Sequence, residues 1–458
     1  MKSPLKNRQT PVLVLVAVCL AIPILANNGA AQTETVLYTF TGSTDGGIPY
    51  AGLTSDKEGN FYGTTMQYGS GPCTYPFVGC GTVFELSPEH TGGDVRWTLK
   101  VLYAFRGGFD GANPVSELTL DRAGNLYGTT GSGGTGCVPF GCGTVFELSR
   151  SKSGWAEKVL YRFTGRSDGA NPGSSLTLDS HGNIYGTTTY GGDSNCHVDG
   201  PSCGVVFRLS PVYDGTNSTW SETVLHTFEG TDGANPFAGV TLGPSEFCGA
   251  EAGQLCIFGT TMYGGNLAIE PGGVAFELVP NRGSWDYNIL YEFPGGCGGP
   301  GGPLVLDKSG ILYGETHLGG QGCSGDVFSL RPNPAAIGQW TWTDLYSFEG
   351  PGGAFPYYQG VVVDQRGNLY GTTSRGGESP NCEAGCGTVF RLSKAIGGGW
   401  YESGIYSLQG GPDGWGPLAG NVVVNNTGVY GMTPSGGDPG CTGTDNQPGC
   451  GVIYSIGP

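Results

Sequence analysis

The chain of 458 residues carries 21 lysines and arginines against 38 aspartates and glutamates, a net charge of −17 at pH 7. A field of that sign repels nucleic acids and anionic membranes, and the composition therefore argues against both as partners. The 88 glycines and 30 prolines are a proportion typical of disordered chains, unless the two residues recur with a period.

Residues 1–31 have the layout of a secretory signal peptide. Lys2, Lys6 and Arg8 precede an apolar run over residues 12–25, and small residues follow at 29–31. The run is too short for a comfortable transmembrane helix, and no later segment is apolar for long enough. We therefore expect residues 32–458 to be secreted, extracellular or periplasmic, with a net charge of −20 once the three basic residues are removed.

One unit recurs through residues 32–458, with the pattern VLYxF, DGANP, LTLD, GNLYGTT and CGTVFELS. Its copies are spaced 55 to 73 residues apart, counted at the aromatic residue of the YGTT segment. These aromatic residues are Tyr62, Tyr127, Tyr185, Phe258, Tyr313, Tyr370 and Tyr430. The period predicts a single domain of seven structural repeats over 32–458.

Each copy contains four short runs of β-branched and aromatic residues separated by turn signals, which predicts four antiparallel strands. Seven such units predict an all-β fold, a seven-bladed β-propeller of four-stranded antiparallel blades, with a solenoid as the alternative. The chain after residue 31 opens with a lone TVLYTF strand and closes on GVIYSI. We expect the N-terminal strand to join the last blade and so close the ring.

Fourteen cysteines follow residue 31, two for each copy. An even number in an exported chain indicates disulfides, and zinc, the alternative, is disfavoured by variable spacing and only five histidines. The expected pairs are Cys73–Cys80, Cys137–Cys142, Cys196–Cys203, Cys248–Cys256, Cys297–Cys323, Cys382–Cys386 and Cys441–Cys450.

The tandem GNLYGTT and CGTVFELS segments resemble the GloVer repeat of the choice-of-anchor tandem repeat proteins. The resemblance extends from about Thr35 to Ile456 and implies an exported bacterial protein. It implies no catalytic residues. Members are named for varied C-terminal sorting anchors, and because this chain ends at YSIGP we expect free secretion or periplasmic residence.

The DGANP loops and the cysteine loops should share one face of the propeller, here called the rim face, if LTLD is the innermost strand of each blade. Loops on a rigid ring can vary freely and therefore commonly carry binding sites. Asp110, Asp168 and Asp232 of the DGANP loops could bind calcium through their oxygens. The alternative is that each aspartate stabilises its own turn. No other cofactor is expected.

Copy five departs from the repeat at Glu315 and Asp326, which stand where other copies usually have threonine, and at His317. We expect the two carboxyl groups to lie near each other, at the strand ends flanking one hairpin loop. There they could perform acid–base catalysis, or hold a metal together with His317. The alternative is that copy five has diverged without acquiring a function.

Tyrosines beside the GG pair of the rim loops are candidates to stack on sugar rings. They are Tyr68, Tyr190 and Tyr263, with Arg375 in a neighbouring copy as a hydrogen-bond donor. Packing of each loop against its own disulfide is the alternative.

The sequence favours a binding or scaffold module for an extracellular carbohydrate or surface protein. A carbohydrate-active hydrolase or lyase, using acidic residues at the channel mouth, is the second hypothesis. A structural cell-surface protein is the third. Known catalytic motifs are absent from the sequence. We expect a monomer, without a nucleic-acid partner or a membrane span.

Overall fold

The computed structural model describes residues 32–457 except 74–77, 153, 193–194, 197, 199, 201, 214–217, 267–270, 321, 334, 337, 359, 419 and 444–446. The predicted signal peptide, residues 1–31, lies outside the described residues. Within the described ranges, no helix is long and apolar enough to cross a membrane.

The described residues form a seven-bladed β-propeller of antiparallel sheets, as predicted. In blades 1–6, the LTLD-type segment forms the innermost strand and the VLYxF segment the outermost. From inside outward, blade 1 contains β2 (Thr54–Ser55), β3 (Phe61–Thr65), β4 (Thr82–Thr91) and β5 (Asp94–Ala104). Blade 2 contains β7 (Thr119–Leu120), β8 (Leu126–Ser132), β9 (Thr144–Ser151) and β10 (Gly154–Arg162), and β6 (Ala112–Pro114) also pairs with β8.

The next four blades repeat this order. Blade 3 contains β11 (Thr177–Leu178), β12 (Ile184–Thr188), β13 (Val205–Tyr213) and β14 (Ser218–Thr227). Blade 4 contains β15 (Thr241–Pro244), β16 (Leu255–Thr261), β17 (Pro271–Asn281) and β18 (Ser284–Pro294). Blade 5 contains β19 (Val305–Leu306), β20 (Leu312–Thr316), β21 (Asp326–Pro332) and β22 (Trp340–Ser347). Blade 6 contains β23 (Val362–Val363), β24 (Leu369–Thr373), β25 (Thr388–Lys394) and β26 (Trp400–Ser407).

The ring closes through the N-terminal strand, as expected. Blade 7 contains β27 (Val423–Asn425), β28 (Gly428–Thr433) and β29 (Val452–Ile456), and its outer strand is β1 (Glu34–Thr39). Because β1 pairs with the edge of β29, the first and last parts of the chain share one sheet and neither edge is left open at that point.

A glycine facing an aromatic ring organises the middle of each blade. In blade 2, Gly128 lies directly opposite Phe146, and a Cβ on the glycine would lie 2.6 Å from the phenylalanine Cζ. The ring of Phe146 crosses the space above this glycine and meets Phe105, which directly follows the outer strand of blade 1, edge to face at 5.1 Å. Equivalent ring pairs join five further pairs of neighbouring blades, namely Phe40–Phe84, Phe163–Phe207, Phe228–Phe276, Phe293–Phe328 and Phe348–Phe390. Between blades 6 and 7, the buried Leu408 takes the place of the first ring.

Disulfides and hydrogen-bonded turns order the loops at both faces. The cysteines form the seven expected pairs: Cys73–Cys80, Cys137–Cys142, Cys196–Cys203, Cys248–Cys256, Cys297–Cys323, Cys382–Cys386 and Cys441–Cys450. On the opposite face, Asp121 accepts hydrogen bonds from the backbone N–H of Asn125 at 2.9 Å and from the Tyr127 hydroxyl at 3.3 Å. Rigid loops on a rigid ring are the setting in which a rim site can be built.

Candidate functional site

A cavity of about 390 Å³ lies on the axis of the propeller and is lined by residues from all seven blades. Its wall is formed by the segments that connect each DGANP loop to the innermost strand. Small residues such as Gly173, Ala238 and Gly420 leave the cavity open. The volume is in the range of small-molecule sites, which are commonly concave and fixed by a few polar groups.

Aromatic side chains surround the rim-face end of this cavity. We call Tyr50, Phe237, Tyr357, Tyr358 and Trp415 the mouth aromatics. All five are half-buried. The Phe237 and Tyr358 rings lie 4.8 Å apart, the Tyr357 and Tyr358 rings 4.1 Å apart, and the Tyr357 hydroxyl donates to the Tyr358 hydroxyl at 3.3 Å. Trp415 lines an adjoining pocket that shares Tyr50 and Tyr357 with the axial cavity.

The adjoining pocket also contains His317 and Arg375, two residues that the sequence had singled out separately. The His317 ring lies 4.4 Å from Tyr357 and 5.8 Å from Phe355, and the Arg375 guanidinium lies 5.8 Å from the same Phe355 ring. Burial lowers the pKa of His317, the hydrogen bond to the Pro356 backbone opposes this, and the Arg375 charge adds to the lowering. The imidazole is therefore neutral at neutral pH.

Deeper in the channel, Glu117 supplies a carboxyl group. Its Oε2 accepts a hydrogen bond from the Asn421 amide at 3.2 Å, across the ring from blade 7. Gly52 of blade 1 makes this contact possible, since a Cβ there would lie 3.0 Å from Glu117 Oε2 and 2.6 Å from the backbone nitrogen of Asn421. Burial raises the pKa of Glu117 to about 7, although the hydrogen bonds with Asn421 oppose the rise.

The structure places Glu315 and Asp326 close together but not as the expected pair in an open site. Glu315 lies opposite Val327, and Asp326 lies opposite Thr316, so the two carboxyl groups point to opposite faces of blade 5. They are 1% and 4% exposed, and neither lines the axial cavity or the adjoining pocket as described. Asp326 accepts a hydrogen bond from the Thr316 hydroxyl at 2.7 Å. In blade 2 the equivalent positions are Thr130 and Thr144, whose hydroxyls bond to each other. Asp326 therefore takes the place of the second threonine.

The carboxyl group of Glu315 has no hydrogen-bond partner among the described residues. Burial raises its pKa well above the ordinary value, and the charge of Asp326 raises it further. Burial likewise raises the pKa of Asp326 to about 7, opposed by the Thr316 hydrogen bond. A catalytic role for either group stays a prediction. Because both carboxyl groups are buried, a substrate could reach them only if the packing around blade 5 opened.

The three rim tyrosines occupy different environments. Tyr263 forms an isolated bridge with Ala234, in the loop that leads to the mouth residue Phe237. Tyr190 lines a separate groove between blades 2 and 3. Tyr68 is displaced by one position, because Gln67 makes the equivalent bridge, and it packs against Cys450 of blade 7. Tyr68 therefore packs against a disulfide of blade 7 and not against the disulfide of its own loop.

The aspartates of the DGANP loops bind their own turns. Asp168 accepts hydrogen bonds from the Thr164 N–H at 2.8 Å, the Thr164 hydroxyl at 2.6 Å and the Tyr161 hydroxyl at 3.2 Å. Asp110 and Asp232 make similar contacts with Tyr103 and His226. In the part of the chain that the structure describes, no three or more His, Cys, Asp or Glu residues cluster as a metal site. Calcium binding by these aspartates stays a prediction.

Comparison with known proteins places the chain in a repeat family. The Gloeobacter/Verrucomicrobia repeat matches residues 26–255 and 243–446. The chain belongs to this family. The match confirms the resemblance to the GloVer repeat, while no functionally curated protein matches the sequence.

Solved structures with similar folds are distant in sequence. An ulvan lyase, a polysaccharide lyase, is 11% identical over 93% of this chain and 96% of its own, with a TM-score of 0.50. The periplasmic gluconolactonase of Pseudomonas aeruginosa is 12% identical over 79% and 85%, with a TM-score of 0.46. A Dyadobacter fermentans protein of unknown function is 10% identical over 93% and 100%, with a TM-score of 0.39. At such identities the likeness shows the fold alone.

Sequence reasoning missed the mouth aromatics and Glu117. Tyr50, Phe237 and Tyr357 each follow the proline that ends a DGANP-type loop, where copies two and three have Val115 and Gly173. Glu117 stands at a position that is glycine, serine or proline in five other copies and Asn421, its hydrogen-bond partner, in copy seven. A column-by-column comparison of the seven copies at the start of the inner strand would have detected both, because these columns face the axis.

We predict that Glu315→Thr stabilises the fold. In copies one to four, the equivalent threonine donates a hydrogen bond to a carbonyl of the next blade, as Thr187 does to Ala238 at 2.8 Å. Restoring that donor removes an unpartnered buried carboxyl group and should raise the free energy of unfolding by about 1–3 kcal/mol at pH 8. Denaturant titration measures this. Glu315→Gln is the control that removes only the charge, and a lower stability of the threonine variant would contradict the prediction.

We predict that Glu117→Gln makes stability less dependent on pH. The folded pKa of about 7 exceeds the ordinary 4.5, so the folded state retains a proton that the unfolded state releases between these values. The wild type should therefore lose stability as pH rises through this window, whereas the glutamine variant retains the hydrogen bond to Asn421 without this loss. The difference at pH 8 should be on the order of 1–3 kcal/mol. If the free energies of unfolding of the wild type and Glu117→Gln differ by the same amount at pH 4 and pH 8, the raised pKa of Glu117 is refuted.

Proposed function

We propose that this protein is an exported binding module that takes a carbohydrate at the channel mouth. The observation that carries the proposal is the set of mouth aromatics around an open axial cavity. Half-buried rings offer apolar faces to the C–H groups of a sugar ring, and their hydroxyl and indole groups can bond to sugar hydroxyls. The seven disulfides support an oxidising extracellular or periplasmic compartment, where polysaccharides are met.

Several polar groups near these rings can orient a sugar. Asn171, Ser174, Ser175 and Thr189 also line the axial cavity. A ligand in this cavity would therefore meet both stacking surfaces and hydrogen-bonding groups. A surface protein could also contact the rim, but a concave cavity of this volume fits a sugar unit better than a flat protein surface.

The enzyme hypothesis has less support in the form based on Glu315 and Asp326. Paired carboxyl groups cleave glycosides from either side of the bond, which requires both to face the same space. These two face opposite sides of a packed blade. The similarity to an ulvan lyase concerns the propeller fold and adds no catalytic residue.

A panel of insoluble polysaccharides tests the proposal by depletion of protein from solution and by release of soluble sugar. We expect depletion by at least one polysaccharide, and an affinity about tenfold weaker for Trp415→Ala and Tyr357→Ala because each removes a stacking surface. Tyr401→Ala, an exposed tyrosine on the outer strand of blade 6, is the matched control and should bind as the wild type does. If all three variants bind as tightly as the wild type, the channel mouth is not the binding site.

A further inference from the structure

Arg375 gives the mouth a positive charge that the other copies lack. It lies two residues after the YGTT segment, where the backbone bridges to the DGANP-type loop at Ala354. The same bridge is made in other blades by neutral residues, namely Gln67, Tyr190, Tyr263 and Ser435. The chain has only 21 lysines and arginines, so few cations are available for a pocket that adjoins the axial cavity, and Arg375 is one of them.

No carboxylate of the described residues forms an ion pair with Arg375. The pocket around it is lined by Tyr50, His317, Phe355, Tyr357 and Trp415, along with Leu318, Ser374 and Leu418, and this lining contains no acidic residue. The guanidinium is exposed and is held near the Phe355 ring. It therefore presents its donors to the pocket without a counter-charge from the protein.

Phe355 supports this arrangement at a conformational cost. It occupies the place of Asn113, Asn171 and Asn235 in the DGANP loops, with a φ of 56° like theirs. Asparagine tolerates that left-handed conformation far better than a bulky aromatic residue does. Asn113 and Asn235 also donate to carbonyls of the neighbouring blade, a bond that phenylalanine cannot make. Strain of this kind clusters at functional sites.

The charges along the axis favour one orientation of an acidic ligand. Arg375 supplies the positive charge of this pocket, and the neutral His317 imidazole beside it adds none. Glu117 lines the axial cavity, and its carboxyl group, with a pKa of about 7, repels an anion once it is ionised. An acidic group on a bound sugar is therefore attracted to the mouth and excluded from the channel floor.

We propose that the mouth selects an acidic carbohydrate, with the oxyanion of a uronate or sulfated sugar bound by Arg375 and the sugar ring packed on Trp415 and Tyr357. This inference rests on the proposed carbohydrate function and names its ligand class. A guanidinium forms two parallel hydrogen bonds with a carboxylate or a sulfate, which a neutral hydroxyl cannot match.

The test compares polymers that differ only in charge. The full oxidised chain is titrated with polygalacturonate, with the same polymer after reduction of its carboxyl groups, and with a sulfated galactan. Physiological ionic strength is used because it screens the long-range repulsion between an acidic polymer and the negative net charge of the protein, and leaves the short-range contact with Arg375. We expect the wild type to bind polygalacturonate or the sulfated galactan about tenfold or more tightly than the reduced polymer. The two acidic arms distinguish carboxylate from sulfate as the group recognised.

Arg375→Gln should abolish this preference while leaving affinity for the reduced polymer within about twofold. Arg366→Gln is the matched control, since Arg366 is an exposed arginine of the same blade on the opposite face. Equal affinity for acidic and reduced polymers, or an Arg375→Gln variant that keeps the preference, would overturn this inference and leave the carbohydrate function standing. Binding of none of the polymers would overturn both.

Discussion

The architecture depends on a glycine that faces an aromatic ring in the centre of every blade. Because Gly128 has no Cβ, the Phe146 ring can lie across the second strand and reach the preceding blade, where it meets Phe105. The same contact recurs around the ring, and a side chain at the glycine would displace the ring from it. Packing of this kind is specific in shape, so each blade takes nearly the same position against its neighbour.

A uniform contact between blades has a consequence for function. Once the contacts between neighbouring blades and strand β1 close the ring, the inner strands surround an axial cavity, and the loops of the rim face are free to differ. Departures from the repeat line the axial cavity in several blades, as Glu117 and Phe237 do, but those of blades 5, 6 and 7 meet in the adjoining pocket. There His317, Phe355, Arg375 and Trp415 replace the residues of the common repeat and line one pocket. We infer that the regular blades supply the frame and that these departures supply the chemistry.

The repeat allowed much of the fold to be predicted from sequence. Strand order, the closure by TVLYTF and the pairing of the cysteines follow from a period that seven copies report independently. The site was harder to predict, because burial depends on which face of a strand a side chain occupies. Glu315 looked like a catalytic departure, yet the pleat turns it between blades, away from Asp326. Tyr68 looked equivalent to Tyr263, yet an extra residue places it against Cys450.

Other parts of the site could be predicted in part from the sequence. His317 and Arg375 were both selected from the sequence, but only the ring geometry shows that adjacent blades bring them to one pocket. Three of the mouth aromatics, Tyr50, Phe237 and Tyr357, follow the prolines of DGANP-type loops, but the aspartates of this motif drew attention first. Those aspartates serve their own turns, as the four hydrogen bonds accepted by Asp168 illustrate.

A crystal structure of the protein with a bound acidic oligosaccharide would show whether the channel mouth is the binding site. We expect a sugar ring packed on Trp415 and Tyr357, with its acidic group bonded to the Arg375 guanidinium and directed away from Glu117. A sugar seated instead on the disulfide loops, in the groove beside Tyr190 or on the outer strands would contradict the assignment of the channel mouth as the binding site.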